Sequence, residues 1–318
     1  MVDVVTMGET MIQLNAFTSG PLRYVNYFEK HAAGTESNVA VGAVRMGHSA
    51  GWISRLGDDE FGRYIHNFLK GEGVDVSKVV FDPGAATGLY FVQRDYPVPS
   101  KSVVYYYRKG SAASRLSPKD LDLEYIASAK VFHTTGVTLA LSQTCREAVD
   151  RAIEAAAKGG AEVSLDTNIR LKLWSPAEAR RTLMEYIGSS NILFTDIEDS
   201  EIILGDKDPK TAAEKFLSMG PQVVVVKMGD KGAYVANSGG DKAMVEAHKV
   251  PVVDVIGAGD AFDAAFLSCR LKGYDLDKSL EVANAAGALC VTVRGDVEAM
   301  PSLDDVQRFL EGKGHIFR

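Results

Sequence analysis

Asp254-Val255-Ile256-Gly257-Ala258-Gly259-Asp260-Ala261-Phe262 lies near the C-terminus of this 318-residue chain. Two glycines flank an alanine, an aspartate follows, and an apolar run begins: Ala261, Phe262, Ala264, Ala265, Phe266, Leu267 and Leu271. The run reads as a helix. A Gly-Ala-Gly turn feeding a helix N-terminus leaves backbone N–H groups unpaired. With the positive end of the helix dipole, those donors make an anion site. Asp260 stands at its mouth, poorly placed to bind an anion but well placed to accept a proton from a nucleophile that attacks one. A phosphate cradle beside a base is the minimal equipment for phosphoryl transfer. The same spacing also suits a plain glycine turn with an aspartate N-cap.

Outward from this stretch, helical and strand patterns alternate along the chain. Residues 36–46 read as a helix, 49–56 as a strand, and Phe61, Tyr64, Ile65, Phe68 and Leu69 fall on one helical face. Val131-Phe132-His133, Val163-Ser164-Leu165 and Ile192-Leu193-Phe194 read as short strands. Between them lie an alanine-rich helix over about 142–158, closed by Gly159-Gly160, and a helix opened by Ser175-Pro176-Ala177-Glu178. Asp208-Pro209 opens another helix, and Val223-Val224-Val225-Val226 is the β-branched run of a strand buried on both faces. Such alternation predicts an α/β fold with a mostly parallel sheet between helical layers. Two regions break the rhythm, about 11–30 and 86–109. The second holds Gly88-Leu89-Tyr90-Phe91-Val92-Gln93-Arg94 and Val103-Val104-Tyr105-Tyr106-Tyr107-Arg108, separated by Tyr96-Pro97-Val98-Pro99-Ser100. These predict a small antiparallel sheet projecting from the main body. Exposed aromatic strands of that kind close over a ligand or pair with another subunit.

Composition narrows the partners. Lys and Arg number 35 against 42 Asp and Glu, a net charge of −7, which argues against nucleic acid and anionic membranes. Three scattered cysteines, Cys145, Cys269 and Cys290, fit a reducing compartment and no disulfide framework. No basic, apolar leader opens the sequence and no apolar stretch reaches the roughly 20 residues of a membrane span. The expectation is a cytoplasmic protein.

In an open parallel sheet, ligands bind beyond the carboxyl ends of the strands. Polar residues collect there: Gly8-Glu9, Asp166-Thr167-Asn168-Ile169-Arg170, Asp196 with Asp199, and Lys227-Met228-Gly229-Asp230-Lys231-Gly232. One shared site explains them better than separate turns. There is no GxxxxGK[ST], and Gly257-Ala258-Gly259 lacks the third glycine of GxGxxG, so neither a P-loop nor a dinucleotide fold is expected.

These residues carry a resemblance. Residues 254–260 (DVIGAGD) are similar to the C-terminal signature of the ribokinase-like (PfkB) carbohydrate kinases. The N-terminal signature is resembled by Ala33-Gly34-Thr35-Glu36-Ser37-Asn38-Val39-Ala40, Gly47 and Arg55-Leu56-Gly57-Asp58-Asp59-Glu60-Phe61-Gly62. Asp166 to Arg170 with Leu173-Trp174, and the Lys227 to Gly232 loop, follow in the right order, so the resemblance covers nearly the whole chain. Within the family, residues 21–31, Tyr107-Arg108-Lys109-Gly110-Ser111-Ala112 and Val293-Arg294-Gly295-Asp296 resemble the archaeal-type kinases of 2-keto-3-deoxygluconate.

The resemblance implies a ribokinase-like αβα sandwich over residues 1–318 as a single kinase domain, with a β-sheet lid, ATP as donor and Mg²⁺. It implies Asp260 as catalytic base and Gly257, Ala258 and Gly259 as the anion hole, with Arg170 assisting. Gly34, Tyr90, Tyr106, Tyr107, Arg108, Arg170, Asp260 and Asp296 are the implied sugar-acid contacts. Asn168, Lys227, Met228, Gly229, Asp230, Lys231, Gly232, residues 257–259 and Asn284 are the implied nucleotide side. The family's Asn-x-x-Glu is replaced by Asp196-Ile197-Glu198-Asp199, where Asp196 and Asp199 keep oxygen ligands for a metal held through water. Val255 replaces a common threonine. The residues agree with a sugar acid, since Arg with Tyr supplies a planar cation and hydroxyl donors, and Tyr106 and Arg108, two apart, share a strand face. The expected reaction is ATP-dependent phosphorylation of the C6 hydroxyl of 2-keto-3-deoxygluconate, with 2-keto-3-deoxygalactonate as a second substrate. The alternatives are a fructokinase, ribokinase or nucleoside kinase of the same family, and a non-catalytic sugar or nucleotide sensor. Lid strands imply a homo-oligomer.

Overall fold

The computed structural model describes residues 2–99 and 101–312. Among them are thirteen strands: β1 (Val4–Met7), β2 (Met11–Ala16), β3 (Phe28–Ala33), β4 (Ala50–Gly57), β5 (Val79–Asp82), β6 (Leu89–Gln93), β7 (Val103–Tyr107), β8 (Val131–Thr135), β9 (Glu162–Asp166), β10 (Ile192–Asp196), β11 (Val223–Lys227), β12 (Ala233–Asn237) and β13 (Lys242–Val245). Nine form one sheet in the order β13-β12-β11-β10-β9-β8-β1-β4-β5. All neighbours from β11 to β5 are parallel, and β12 and β13 extend the sheet antiparallel.

Helices cover both faces, as the valine run requires. Val223 and Val225 pack on one side with Phe194, Phe262 and Phe266. Val224 and Val226 pack on the other with Leu193 and Phe216. Strand register places alternate residues on opposite faces, so a run apolar at every position is stable only between two layers. The helix ends follow their caps. Ser142, Ser175 and Asp208 accept from the amides of Cys145, Glu178 and Thr211, and Gly160 turns left-handed at φ 81° to end the helix Gln143–Gly159.

A second sheet has the order β3-β2-β6-β7. It corrects the expectation of an antiparallel lid. The pairs β2–β3 and β6–β7 are antiparallel, but the central pair β2–β6 is parallel. The chain leaves the lid after β3, threads β4 and β5 through the body, and returns to the lid running the same way. The first lid segment also continues past residue 30, to Ala33. Ser100, in the connection between β6 and β7, lies outside the described residues. Among the described residues no helix is long and apolar enough to cross a membrane.

The helix after the glycine turn is Ala258–Leu271, with Gly257 as its N-cap at φ 78°. Asp260 therefore sits inside the first turn, which removes the reading of it as a cap. Parallel strands carry their carboxyl ends to one edge, so Met7, Thr135, Asp166, Asp196 and Lys227 converge there.

Candidate active site

A cavity of about 860 Å³ opens at that edge, beneath the lid. The lid contributes Tyr90, Val104, Tyr106 and Arg108; the strand ends contribute Asp166, Asn168, Arg170, Asp196, Glu198 and Lys227. Gly257, Ala258, Gly259 and Asp260 lie on its wall, and His248, Val252 and Asn284 line the far side.

The helix start is built for an anion. The amides of Gly257, Gly259 and Asp260 take no partner among the described residues. Gly257 is required twice over: its φ is positive, and a Cβ there would lie 2.8 Å from Asp296 Oδ1 and 2.9 Å from Met300 Cε.

Asp260 is 8% exposed. Its Oδ1 accepts the Thr35 hydroxyl at 2.5 Å and its Oδ2 the Asn38 amide at 2.7 Å. Thr35 in turn accepts from the Asn168 amide at 3.0 Å, and Asn168 holds a left-handed φ of 33°, a conformation asparagine tolerates. Burial pushes the Asp260 carboxyl above its ordinary range, against the Thr35 and Asn38 hydrogen bonds that lower it. The result is a fixed carboxylate of strengthened basicity. The same Asn38 nitrogen donates to Asp296 Oδ1 at 2.5 Å. Burial, reinforced by the Asp260 charge, drives the Asp296 carboxyl well upward.

Under the turn lies a cation. Lys227 Nζ is 3.0 Å from Asp166 Oδ2 and 3.0 Å from Asp263 Oδ1. Burial opposes its charge, but the two carboxyls outweigh that and raise its pKa. Lys227 in turn holds Asp166 low against the effect of burial, while burial drives Asp263 well up. The Lys227 ammonium is therefore met on two sides, and burial works against ionisation of Asp263 more than the lysine works for it.

The structure brings together on this cavity Gly34, Tyr90, Tyr106, Arg108, Asn168, Arg170, Lys227, Gly229, Asp230, Gly232, Gly257, Ala258, Gly259, Asp260, Asn284 and Asp296. Met228 and Lys231 belong to the loop but not to the cavity lining; the Met228 amide closes that loop on the Gly232 carbonyl at 2.8 Å. Tyr107 is a correction. It neighbours Tyr106 on β7, so its ring turns to the outer lid face, 65% exposed and edge-on to Phe91. Asp199 is not on the cavity lining. Its carboxylate accepts from Thr167 Oγ1 at 2.6 Å and the Ile169 amide at 3.0 Å, shaping the turn rather than facing the cavity. Glu198 takes the place at the wall beside Asp196. Residue typing missed Asp263, which is 1% exposed. Its signal was legible: an acid inside the apolar run Ala261–Leu267, three residues past Asp260.

Comparisons with known proteins give the chain's relatives. Residues 1–303 match the model of the pfkB family carbohydrate kinases. A Thermoproteus tenax protein named 2-dehydro-3-deoxygluconokinase is 48% identical over 98% of this chain and 95% of its own length. A Haloferax volcanii protein named 2-dehydro-3-deoxygalactonokinase is 35% identical, over 98% of this chain and 97% of its own. A putative ribokinase II from E. coli, solved with ATP and Mg²⁺, is 28% identical with a TM-score of 0.91 and covers 98% of this chain and 100% of its own.

Proposed function

Because this chain belongs to the PfkB family of carbohydrate kinases, we propose that it works as a single kinase domain and transfers the γ-phosphoryl group of ATP to the C6 hydroxyl of 2-keto-3-deoxygluconate. The C4 epimer, 2-keto-3-deoxygalactonate, is a second substrate. One observation carries the reading: a buried, amide-held carboxylate at an open helix start shares a cavity with two arginines and two tyrosines. The helix start answers phosphoryl oxygens, and the arginines answer a substrate carboxylate, whose charge must be met once it leaves water.

The chain's own groups divide the work. Tyr90, Tyr106 and Arg108 orient the sugar acid from the lid side, and Arg170 does so from the strand ends. Asp260 accepts the proton of the attacking hydroxyl, and its hydrogen bonds to Thr35 and Asn38 fix its direction. The free amides at 257 and 259 donate to the oxygens of the transferring group, and Lys227 lends positive potential from beneath. The lid excludes water that would otherwise take the phosphoryl group. Asn168, Gly229, Asp230, Gly232 and Asn284 receive the nucleotide.

The residues present also fit Mg²⁺. Asp196 and Glu198 offer hard oxygen donors on the cavity wall, and no group of three or more acidic, His or Cys residues forms a cage among the described residues. Mg²⁺ prefers such a site, with one or two carboxylates and the rest water and phosphate oxygens. When bound it supplies neutralisation of phosphate charge. The three cysteines are free and buried, in keeping with a reducing, cytoplasmic setting. The outer lid aromatics favour assembly as a homo-oligomer through the lid.

A coupled assay with ATP and a panel of both keto acids, fructose and ribose tests the reading. The keto acids should lead in kcat/KM; preference for a neutral hexose overturns the sugar-acid assignment.

A further inference from the structure

Strand β1 ends at Met7, and the next residues cross from the body into the lid. Glu9 lies in that crossing, and its side chain has no exposed surface. One carboxylate oxygen accepts the Ser111 hydroxyl, and the other lies against a terminal nitrogen of Arg108. Arg108 and Ser111 follow β7, where the chain re-enters the body. Glu9 thus ties the entrance of the lid to its exit. Gly88 leaves room for the pair: a Cβ there would stand 2.9 Å from Glu9 Oε1 and 3.4 Å from Arg108 Cβ.

Glu9 and Arg108 both line the cavity. Arg108 Nη2 is spent on the Glu9 oxygen beside it, and Arg108 Nε has no hydrogen-bonded partner among the described residues. Buried donors left this way are costly unless a ligand meets them. A lone guanidinium here would also attract any anion in the cavity, including the phosphates that belong at the helix start. A carboxylate beside it cancels the net charge and leaves only directed N–H groups.

Resting on the sugar-acid reading above, we propose that Glu9 is a positioning residue for substrate specificity. It holds the Arg108 fork with its free N–H edge toward the substrate carboxylate, and it neutralises the arginine toward other anions. The unit that reads the acid is the Glu9–Arg108 pair.

A double-mutant cycle tests this, with KM, kcat and thermal unfolding measured for E9Q, R108A and the double variant. Removing an oriented, charge-assisted contact predicts that E9Q raises KM for 2-keto-3-deoxygluconate by about 10- to 150-fold, more than it lowers kcat. KM for ATP should move much less. In the R108A background, E9Q should add under about twofold, because the residue it orients is gone. An equal effect in both backgrounds, or a parallel rise in both KM values, overturns the proposal and leaves Glu9 a structural tie. If E9Q does not fold, S111A reads the same linkage: a rise in sugar-acid KM that disappears in R108A supports it, and one that persists overturns it. Wild-type protein inactive on the keto acid overturns the substrate reading instead, before any variant is compared.

Discussion

The Asn38 side-chain amide lies 2.7 Å from the carboxylate of Asp260, although 222 positions separate them in the chain. That contact joins the helix Thr35–Arg45 to the helix Ala258–Leu271, whose N-termini both face the cavity. It fixes the direction in which Asp260 offers its lone pairs, and it rests on a residue that also steadies Asp296.

Asp260→Asn keeps the shape and removes the base. Its kcat should fall roughly 100- to 10,000-fold, the usual worth of a positioned general base. Nucleotide binding, followed by calorimetry, should persist. Turnover above about a tenth of the wild-type rate would mean that another group takes the proton.

Gly257→Ala inserts a methyl group into occupied space and forces a left-handed backbone on alanine. Strain of roughly 1–2 kcal/mol follows from the backbone alone. The turn should shift off the transferring phosphoryl group, lowering kcat at least about tenfold, since losing one such donor costs 100- to 1,000-fold elsewhere. Steady-state kinetics at saturating ATP checks it; an unchanged kcat would remove the turn from the mechanism.

Lys227→Met leaves Asp166 and Asp263 buried without their cation. Breaking a buried pair in this way destabilises by about 3–5 kcal/mol. Urea unfolding at neutral pH should show that loss, and it should shrink on acidification as Asp166 takes a proton. A loss under about 1 kcal/mol would show that the carboxyls are met by something else.

Glu36 gives a pH signature. It is fully buried, and burial pushes its carboxyl up to about 7, against hydrogen bonds from Thr138 and Thr135 that lower it. The raised value means that the folded state holds a proton the unfolded chain has released. Stability should therefore be highest below the unfolded value of 4.5, fall by roughly 3 kcal/mol as pH rises to about 7, and level off above it. Asp199, raised to about 7 chiefly by burial, adds in the same direction. Glu36→Gln mimics the protonated acid, so it should flatten most of this slope between pH 5 and 8 in denaturant midpoints. A variant that loses as much stability as the wild type over that range would show that Glu36 is not responsible.

Assembly gives a fifth outcome. Tyr107, Tyr24 and Tyr27 are 65%, 72% and 76% exposed on or near the lid. Light scattering at micromolar concentration should report a dimer or larger, and Tyr107→Lys should shift it toward monomer. A wild-type monomer would contradict the lid as an interface.

Much of this was legible in residue order. The valine run 223–226, the caps at Ser175 and Asp208, and the glycine turn each act through local chemistry, so each appears where its residues stand. The parallel joining of β2 and β6 was not legible, because it depends on where the chain goes between residues 17 and 88, not on the composition of either strand. Tyr107 was misread for a simpler reason: three tyrosines in a row cannot share a face, and strand alternation sends the third outward. The hydrogen bonds of Asp199 to Thr167 and the Ile169 amide were not legible, because a carboxylate near phosphates and one folded under a turn carry the same letter. Lys227 was placed in a nucleotide loop by sequence order, and only the packing shows it held between two acids.

The parallel pairing of β2 with β6 also orders events during folding. Their register joins Ile12 to Leu89 and Asn15 to Val92, so the pairing closes a loop of more than seventy residues. That loop is the chain that builds β4, β5 and the helix between them. The antiparallel pairs β2–β3 and β6–β7 are local, but the sheet they make together is not. Joining its two halves therefore carries the largest loop-closure cost within the lid.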